Sequence, residues 1–437
     1  MQLTLPYTDL TVAAPRIQRR KYQVLLGIAC VYFFFNSFLL PDGLLYTILL
    51  SPIFLVWLRL HKVPIGRYAF IYFLCWLPLL VIHYAYGISL PDYLKSSVLY
   101  FTVFLFAVTV HTYFRHYSFT YESIMEKVLK LNFLFVIVAV FLLVADKKDI
   151  LWSVTDISEG VSDFPRLRML TYEPSYYSLL LIPSLLYYFQ YIFYRNISRR
   201  QWVLLITVLI SLGLSLSYGA IFISMLSLGL FVLFNFLSGL RRQQNKRFIL
   251  FLGILFVLAV TLVLGLFSNS GFVLRILNIF DGNDSSINNR SSQAYFLALS
   301  IADLKSQIFG VGPGQLKLLG QDLISTVYSF ATDEATGQTG TARIPSSMAE
   351  TLAIFGYLGF FLKIAFELYL FRKTRVKRSS FRFCLFIFMF IYQFVGSFST
   401  NIVEIFFWVL AFSGAFPDTW FKKPDPDPRP EELHLQV

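Results

Sequence analysis

Two arginines, a glutamate and three tyrosines fall within residues 166–178, RLRMLTYEPSYYS, and a long apolar run follows almost at once. Guanidinium presents a planar fork of N–H donors that matches phosphate oxygens in pairs, so Arg166 and Arg168 suit a phosphorylated ligand. Glu173 precedes Pro174, which fits the first turn of a helix because proline's missing N–H costs nothing there. The free N–H groups of such a turn favour negative charge. Glu173 either caps that helix, or orders an arginine, or accepts a proton from a sugar hydroxyl. Tyr172, Tyr176 and Tyr177 read either as interfacial anchors or as faces for sugar rings.

Arg290 and Arg343 extend the theme into a later segment, and Glu350 supplies a second carboxylate. Each arginine has an alternative use, pairing with Asp163, Glu173 or Asp284 or reaching lipid headgroups. Three separate segments each supplying one favour a shared anion site. The glycines of FGVGPGQLK (309–317) look superficially like a nucleotide loop. The Gly-x4-Gly-Lys-Ser/Thr spacing is absent, however, and the segment reads as a tight turn with backbone amides exposed toward a phosphate.

These residues must be positioned by membrane helices. The chain has 437 residues, 57% hydrophobic and only 14% charged, a composition that marks a polytopic membrane protein. Apolar runs predict about 12 spans, at 22–40, 44–58, 68–87, 93–113, 128–145, 175–194, 201–217, 219–238, 248–267, 347–371, 381–399 and 401–416. The fold class is therefore all-α, with residues 1–21 and 417–437 as polar tails around a membrane domain at 22–416. Basic clusters at 19–21, 59–62, 195–200, 241–247 and 372–378 place those loops and both termini in the cytoplasm. The net charge of +12 is thus a topology signal, and nucleic acid is excluded as a partner.

Two outward-facing segments remain, 146–174 and 268–346. The second is long for a loop, and its stretch 290–310 has the spacing of an amphipathic helix at the outer membrane surface. No metal or cofactor is called for. The three cysteines lie in apolar runs, and of the histidines only His83 falls near the outer face, where packing in a helix is its ordinary role. Lys363 and Glu367, four apart, read as a mutually neutralised pair inside a span, with Glu404 left unpaired.

At this point the chain resembles the O-antigen polymerase and O-antigen ligase superfamily, integral membrane glycosyltransferases of the GT-C type. RLRMLTYEPS matches the family's arginine followed by an acidic-Pro step, with Met169 where glycine is usual. Asn289-Arg290 and Gly310-Val311-Gly312 match the start and the later turn of the family's long outer loop. Gly356 and Gly359 match its Gly-x-x-Gly helix end. Pro345 and Ser346 stand where the family has His-Asn, and Tyr218 stands where an arginine is usual.

The resemblance implies a donor glycan on undecaprenyl pyrophosphate at the outer face of a bacterial inner membrane, and no cofactor. The acceptor is a second lipid-linked repeat unit in a polymerase, or lipid A-core in a ligase. Absence of the histidine favours the polymerase. A lipid-linked oligosaccharide flippase is the remaining rival, and the long outer loop argues against it. On this reading Arg166, Arg290 and Arg343 neutralise pyrophosphate with help from Arg168. Glu173 is the leading base and Glu350 the second, while Tyr172, Tyr176 and Gln315 join the glycan contacts. Membrane lipids and a chain-length regulator are the expected partners.

Overall fold

A segment in lipid must satisfy its backbone N–H and C=O groups internally, and an apolar helix does so within itself. A computed structural model of the chain describes residues 23–25, 27, 46–117, 121–147, 150–153, 165–171, 173–194, 198–239, 285–328 and 343–414. The expected spans 22–40 and 248–267 fall largely or wholly outside the described residues, as do both tails, Tyr172 and much of both outer loops. Within them the architecture is all-α apart from one short ladder.

The elements run α1 (Tyr46–Leu60), α2 (Ile65–Ala85), α3 (Leu90–Tyr117) and α4 (Tyr121–Val144), then β1 (Trp152–Ser153) and β2 (Arg166–Leu167). There follow α5 (Pro174–Tyr194), α6 (Arg199–Ser215) and α7 (Tyr218–Gly239). The outer segment holds α8 (Ser285–Arg290), α9 (Ser292–Asp303), α10 (Leu316–Leu319) and α11 (Gln321–Val327). The chain closes with α12 (Ser347–Lys373), a 3-10 turn (Val376–Arg378), α13 (Ser380–Val395) and α14 (Ile402–Phe412). Among the described residues, α2, α3, α4 and α12 are long and apolar enough to cross a membrane by length and composition. Phe70, Leu77 and Val81 of α2 are exposed apolar side chains of the kind that suits a lipid-facing surface.

Local sequence explains where the helices start. Ser198 accepts from the Gln201 N–H while Gln201 returns a bond to Ser198, a capping box that starts α6. Asn401 caps α14 through the Val403 N–H, and Ser346 caps α12 through the Ala349 N–H. Segment 146–174, expected as a plain loop, carries the antiparallel pair of Trp152 with Leu167 and Ser153 with Arg166.

Two cores result. One joins α3 to α7 with α13 and α14, through residues such as Phe106, Leu129, Leu186, Val208, Phe388 and Phe407. The other is built from Ala294, Leu297, Ala298 and Ile301 of α9 with Val311, Ile324, Ala349, Leu352 and Ala353. The amphipathic helix foreseen at 290–310 is therefore shorter, Ser292–Asp303, and its apolar face is docked on the start of α12.

The expected straight span 347–371 is corrected. Gly356 has φ 64° and ψ −166°, outside any helix, and it divides α12 into 347–355 and 357–373. Lys363 donates to the Ser347 hydroxyl at 2.9 Å across a separation of 16 residues. A straight helix would place those residues about 24 Å apart. The two halves therefore fold back toward each other as a helical hairpin. Its broken backbone is completed by the 307–312 turn: Val311 and Gly312 N–H donate to the Ala353 and Ile354 carbonyls, while Tyr357 and Leu358 N–H donate to Gln307 and Ile308.

Candidate functional site

The polar stretch Gly396–Asn401 separates two apolar runs and cannot continue a helix in lipid unless its backbone groups find partners. It forms a corner between α13 and α14, with Ser397 at φ 67°. The Gly396 carbonyl accepts the Ser347 N–H at 3.0 Å. Ser346 Oγ donates to the Phe394 carbonyl at 3.1 Å, and Tyr295 Oη donates to the same carbonyl at 3.3 Å. The start of the hairpin and the outer helix α9 are thereby fastened to this corner.

Tyr392 lies against Gly396 of the corner, within electrostatic reach of Arg290, Glu173 and Glu404. Arg290 ends α8, beside Tyr328, whose hydroxyl donates to the Asn289 carbonyl at 2.6 Å. Burial pushes the Tyr328 hydroxyl up to about 12, with Arg290 pulling weakly the other way, so it stays a donor. Glu173 stands just before α5, and its carboxylate accepts from the Ser175 hydroxyl. Two residues 117 positions apart in sequence, an arginine and a carboxylate, are thus brought to the same tyrosine.

Phe398 belongs to the corner itself. The Arg343 guanidinium sits 4.4 Å from the centre of its ring, a cation–π contact. Glu350 accepts the Ser399 N–H at 2.6 Å, and the Ser399 hydroxyl bonds Tyr100 Oη at 2.8 Å. Glu350 and Arg343 both act electrostatically on Tyr100. Two arginine–carboxylate sets therefore each act on one tyrosine near the corner, Arg290 with Glu173 on Tyr392 and Arg343 with Glu350 on Tyr100.

Arg166 occupies a different position from the one expected of a phosphate ligand. Its Nε and Nη2 donate to the Ser215 and Leu216 carbonyls at 3.3 and 3.4 Å, at the negative end of α6. Phosphate engagement by Arg166 would compete with those bonds. The Arg168 backbone N–H donates to Leu151. Met169, where the resembled family has glycine, takes φ 52°, a left-handed conformation glycine adopts without steric cost.

Other expectations are corrected. Tyr176 and Tyr177 are neither interfacial anchors nor open faces: both are 1% exposed. Gln315 is not turned toward a glycan. Its side-chain amide accepts the Ser89 N–H at 3.0 Å and donates to the Ser89 carbonyl at 3.1 Å. His83 is packed, its ring nitrogen Nε2 donating to the Phe309 carbonyl at 2.8 Å. Lys363 and Glu367 do not pair with each other. Lys363 pairs with Glu404 at 2.9 Å, so Glu404 is not unpaired, and Glu367 accepts from Gln393 Nε2 at 2.7 Å.

Sequence reasoning missed Tyr100, Tyr392, Phe398 and Ser399. The available signal was GSFSTN (396–401), a cluster of turn-forming residues that the spans 381–399 and 401–416 absorbed almost whole. Among the described residues no group of three or more His, Cys, Asp and Glu side chains stands together as a metal site. No family model matches the chain, and no match is found among curated proteins.

Proposed function

We propose that this chain polymerises lipid-linked glycan repeat units at the outer face of a bacterial cytoplasmic membrane, with both termini inside. The donor is a glycan on a polyprenyl diphosphate and the acceptor a second such repeat unit. The observation that carries the reading is the pair of arginine–carboxylate sets that act on Tyr392 and on Tyr100 near the 396–401 corner. Two diphosphate-bearing substrates need two anion-binding places, and a diphosphate leaving group is stabilised by fixed cations as its charge develops.

The chemistry follows from that arrangement. A sugar hydroxyl of the acceptor attacks the donor's anomeric carbon, and the bond from that carbon to the diphosphate oxygen breaks. The electron pair leaves with the diphosphate, whose charge Arg290 and Arg343 are suited to meet. The hydroxyl proton passes to Glu173, the leading base, or to Glu350. Apolar flanks such as those of α2 suit the prenyl chains, at about 0.8 kcal/mol per buried methylene. Pro345, where the ligase branch is expected to need histidine, has a side chain that can neither donate nor accept a proton. That favours the polymerase.

The test is the surface-glycan gel profile of a strain lacking the gene. Lipopolysaccharide capped with a single repeat, and no ladder, is expected. Bare core with long glycan stranded on its lipid carrier would mean a ligase. Repeat units held on the cytoplasmic side would mean a flippase.

A further inference from the structure

The second half of α12 carries a buried charged cluster. From the cytoplasm-ward contact of Arg382 with Thr374 and Ala411, the rise along α12 to Glu367 and along α14 to Glu404 is about 10 Å each. From the outer start of α3, Leu90, to Tyr100, which bonds the 396–401 corner, the rise is about 15 Å. The cluster therefore lies about 10 Å inside the ends of two apolar helices, one of them long and apolar enough to cross a membrane.

Its composition does not balance. Glu367 is 4% exposed and Glu404 is 2% exposed, and Lys363 is paired with Glu404. Lys363 and Glu404 both act on Glu367. Tyr392 of α13 lies within electrostatic reach of Glu404 and also of Arg290 and Glu173, one charge of each sign, and Tyr295 of α9 is held by the Phe394 carbonyl, so beyond that balanced pair the packed elements contribute neutral phenols. Two carboxylates against one ammonium leave one negative charge. Burial of an uncompensated charge at this depth is costly, and a group so placed takes up a proton or a counter-ion instead.

Open oxygens accompany that charge. Glu404 Oε1 accepts from Lys363 and Trp408, yet buried Glu404 Oε2 has no hydrogen-bond partner among the described residues. Glu367 Oε2 accepts from Gln393, yet buried Glu367 Oε1 has none, and neither has Gln393 Oε1. A bound calcium or magnesium ion would need about six or more oxygens converging on one point. A proton needs a single oxygen.

We propose that Glu367, beside the Lys363–Glu404 pair, is a proton-binding site within the membrane. The proton on Glu367 leaves one carboxylate to one ammonium, the Lys363–Glu404 pair. The site is independent of the glycan reading and would stand if that reading failed.

Infrared spectra of the full chain in lipid nanodiscs, in water and in deuterium oxide, test this. At pH 7 the wild type is expected to show a protonated-carboxyl band that shifts on deuteration and is absent from Glu367→Gln. In Glu404→Gln the remaining carboxylate balances Lys363, so the same band is expected to disappear. A wild type without the band, or a band that persists in Glu404→Gln, overturns the proposal. So does loss of the band in high sodium chloride, which would make the ligand a metal cation. Should Glu367→Gln fail to fold, the comparison of wild type with Glu404→Gln decides alone.

Discussion

Gly310 and Gly356 press their backbones against each other's segments. A Cβ on Gly310 would strike the Ile354 carbonyl, and one on Gly356 would strike the Ile308 carbonyl. Both have positive φ, 73° and 64°. The Gly-x-Gly turn and the Gly-x-x-Gly helix end, which look like unrelated motifs along the chain, are the two faces of one lock that holds the α12 hairpin.

Gly356→Ala is therefore expected to destabilise the protein twice over. Its backbone, at ψ −166°, occupies a region essentially reserved for glycine, and that strain alone costs about 1–3 kcal/mol. The clash with Ile308 adds to it. Gly229→Ala in α7 meets nothing within 4 Å and is the control, gaining up to about 1 kcal/mol from helix propensity. Thermal unfolding of the detergent-solubilised protein should show a large drop for the first and none for the second. Equal midpoints would mean that the hairpin is not locked there.

Lys363→Met should be severe for an electrostatic reason. It leaves Glu404 without its cation beside a second buried carboxylate. Breaking a buried pair on one side costs about 3–5 kcal/mol, whereas replacing both partners by apolar groups is far milder. The double change Lys363→Met with Glu404→Met should thus recover most of the lost thermal stability. If the double variant is worse than the single, the pair is not the reason for the loss.

Gln315→Ala separates a structural role from a substrate role. The side chain joins the 309–315 turn to the start of α3 through both backbone groups of Ser89. Its removal leaves a donor and an acceptor without that partner, at about 1–3 kcal/mol. Membrane-fraction protein levels should fall, with glycan yield falling in proportion to the amount of protein. A normal protein level with altered glycan length would return Gln315 to the binding site.

Helix positions were legible because apolar runs of spanning length are a composition signal, and α2, α3 and α4 lie close to where hydropathy puts them. The sense of α12 was not legible. Its 27 residues contain a break that hydropathy passes over, since glycine is apolar enough to sit in a span. The partner choice of Lys363 was not legible either: Glu367 is its neighbour on the same half of α12, and the contact with Glu404 of α14 is made across the fold, where no local pattern records it. Arg290, Arg343, Glu173 and Glu350 were identifiable by type and spacing. Their division between Tyr392 and Phe398 depends on contacts between segments far apart in sequence, which no local pattern records.

That division makes the arginine substitutions informative. Arg290→Lys and Arg343→Lys each keep the positive charge but replace a planar fork by a single rotating ammonium. If the forks hold diphosphate, each change removes a charge-assisted hydrogen bond of about 1.5–3 kcal/mol. Polymer yield should then drop roughly ten- to a hundredfold. Arg343→Lys also weakens the contact with Phe398, so its protein level must be measured beside the glycan ladder. Normal ladders from both lysine variants at normal protein level would show that neither fork grips the leaving group, and the diphosphate reading would fail with them.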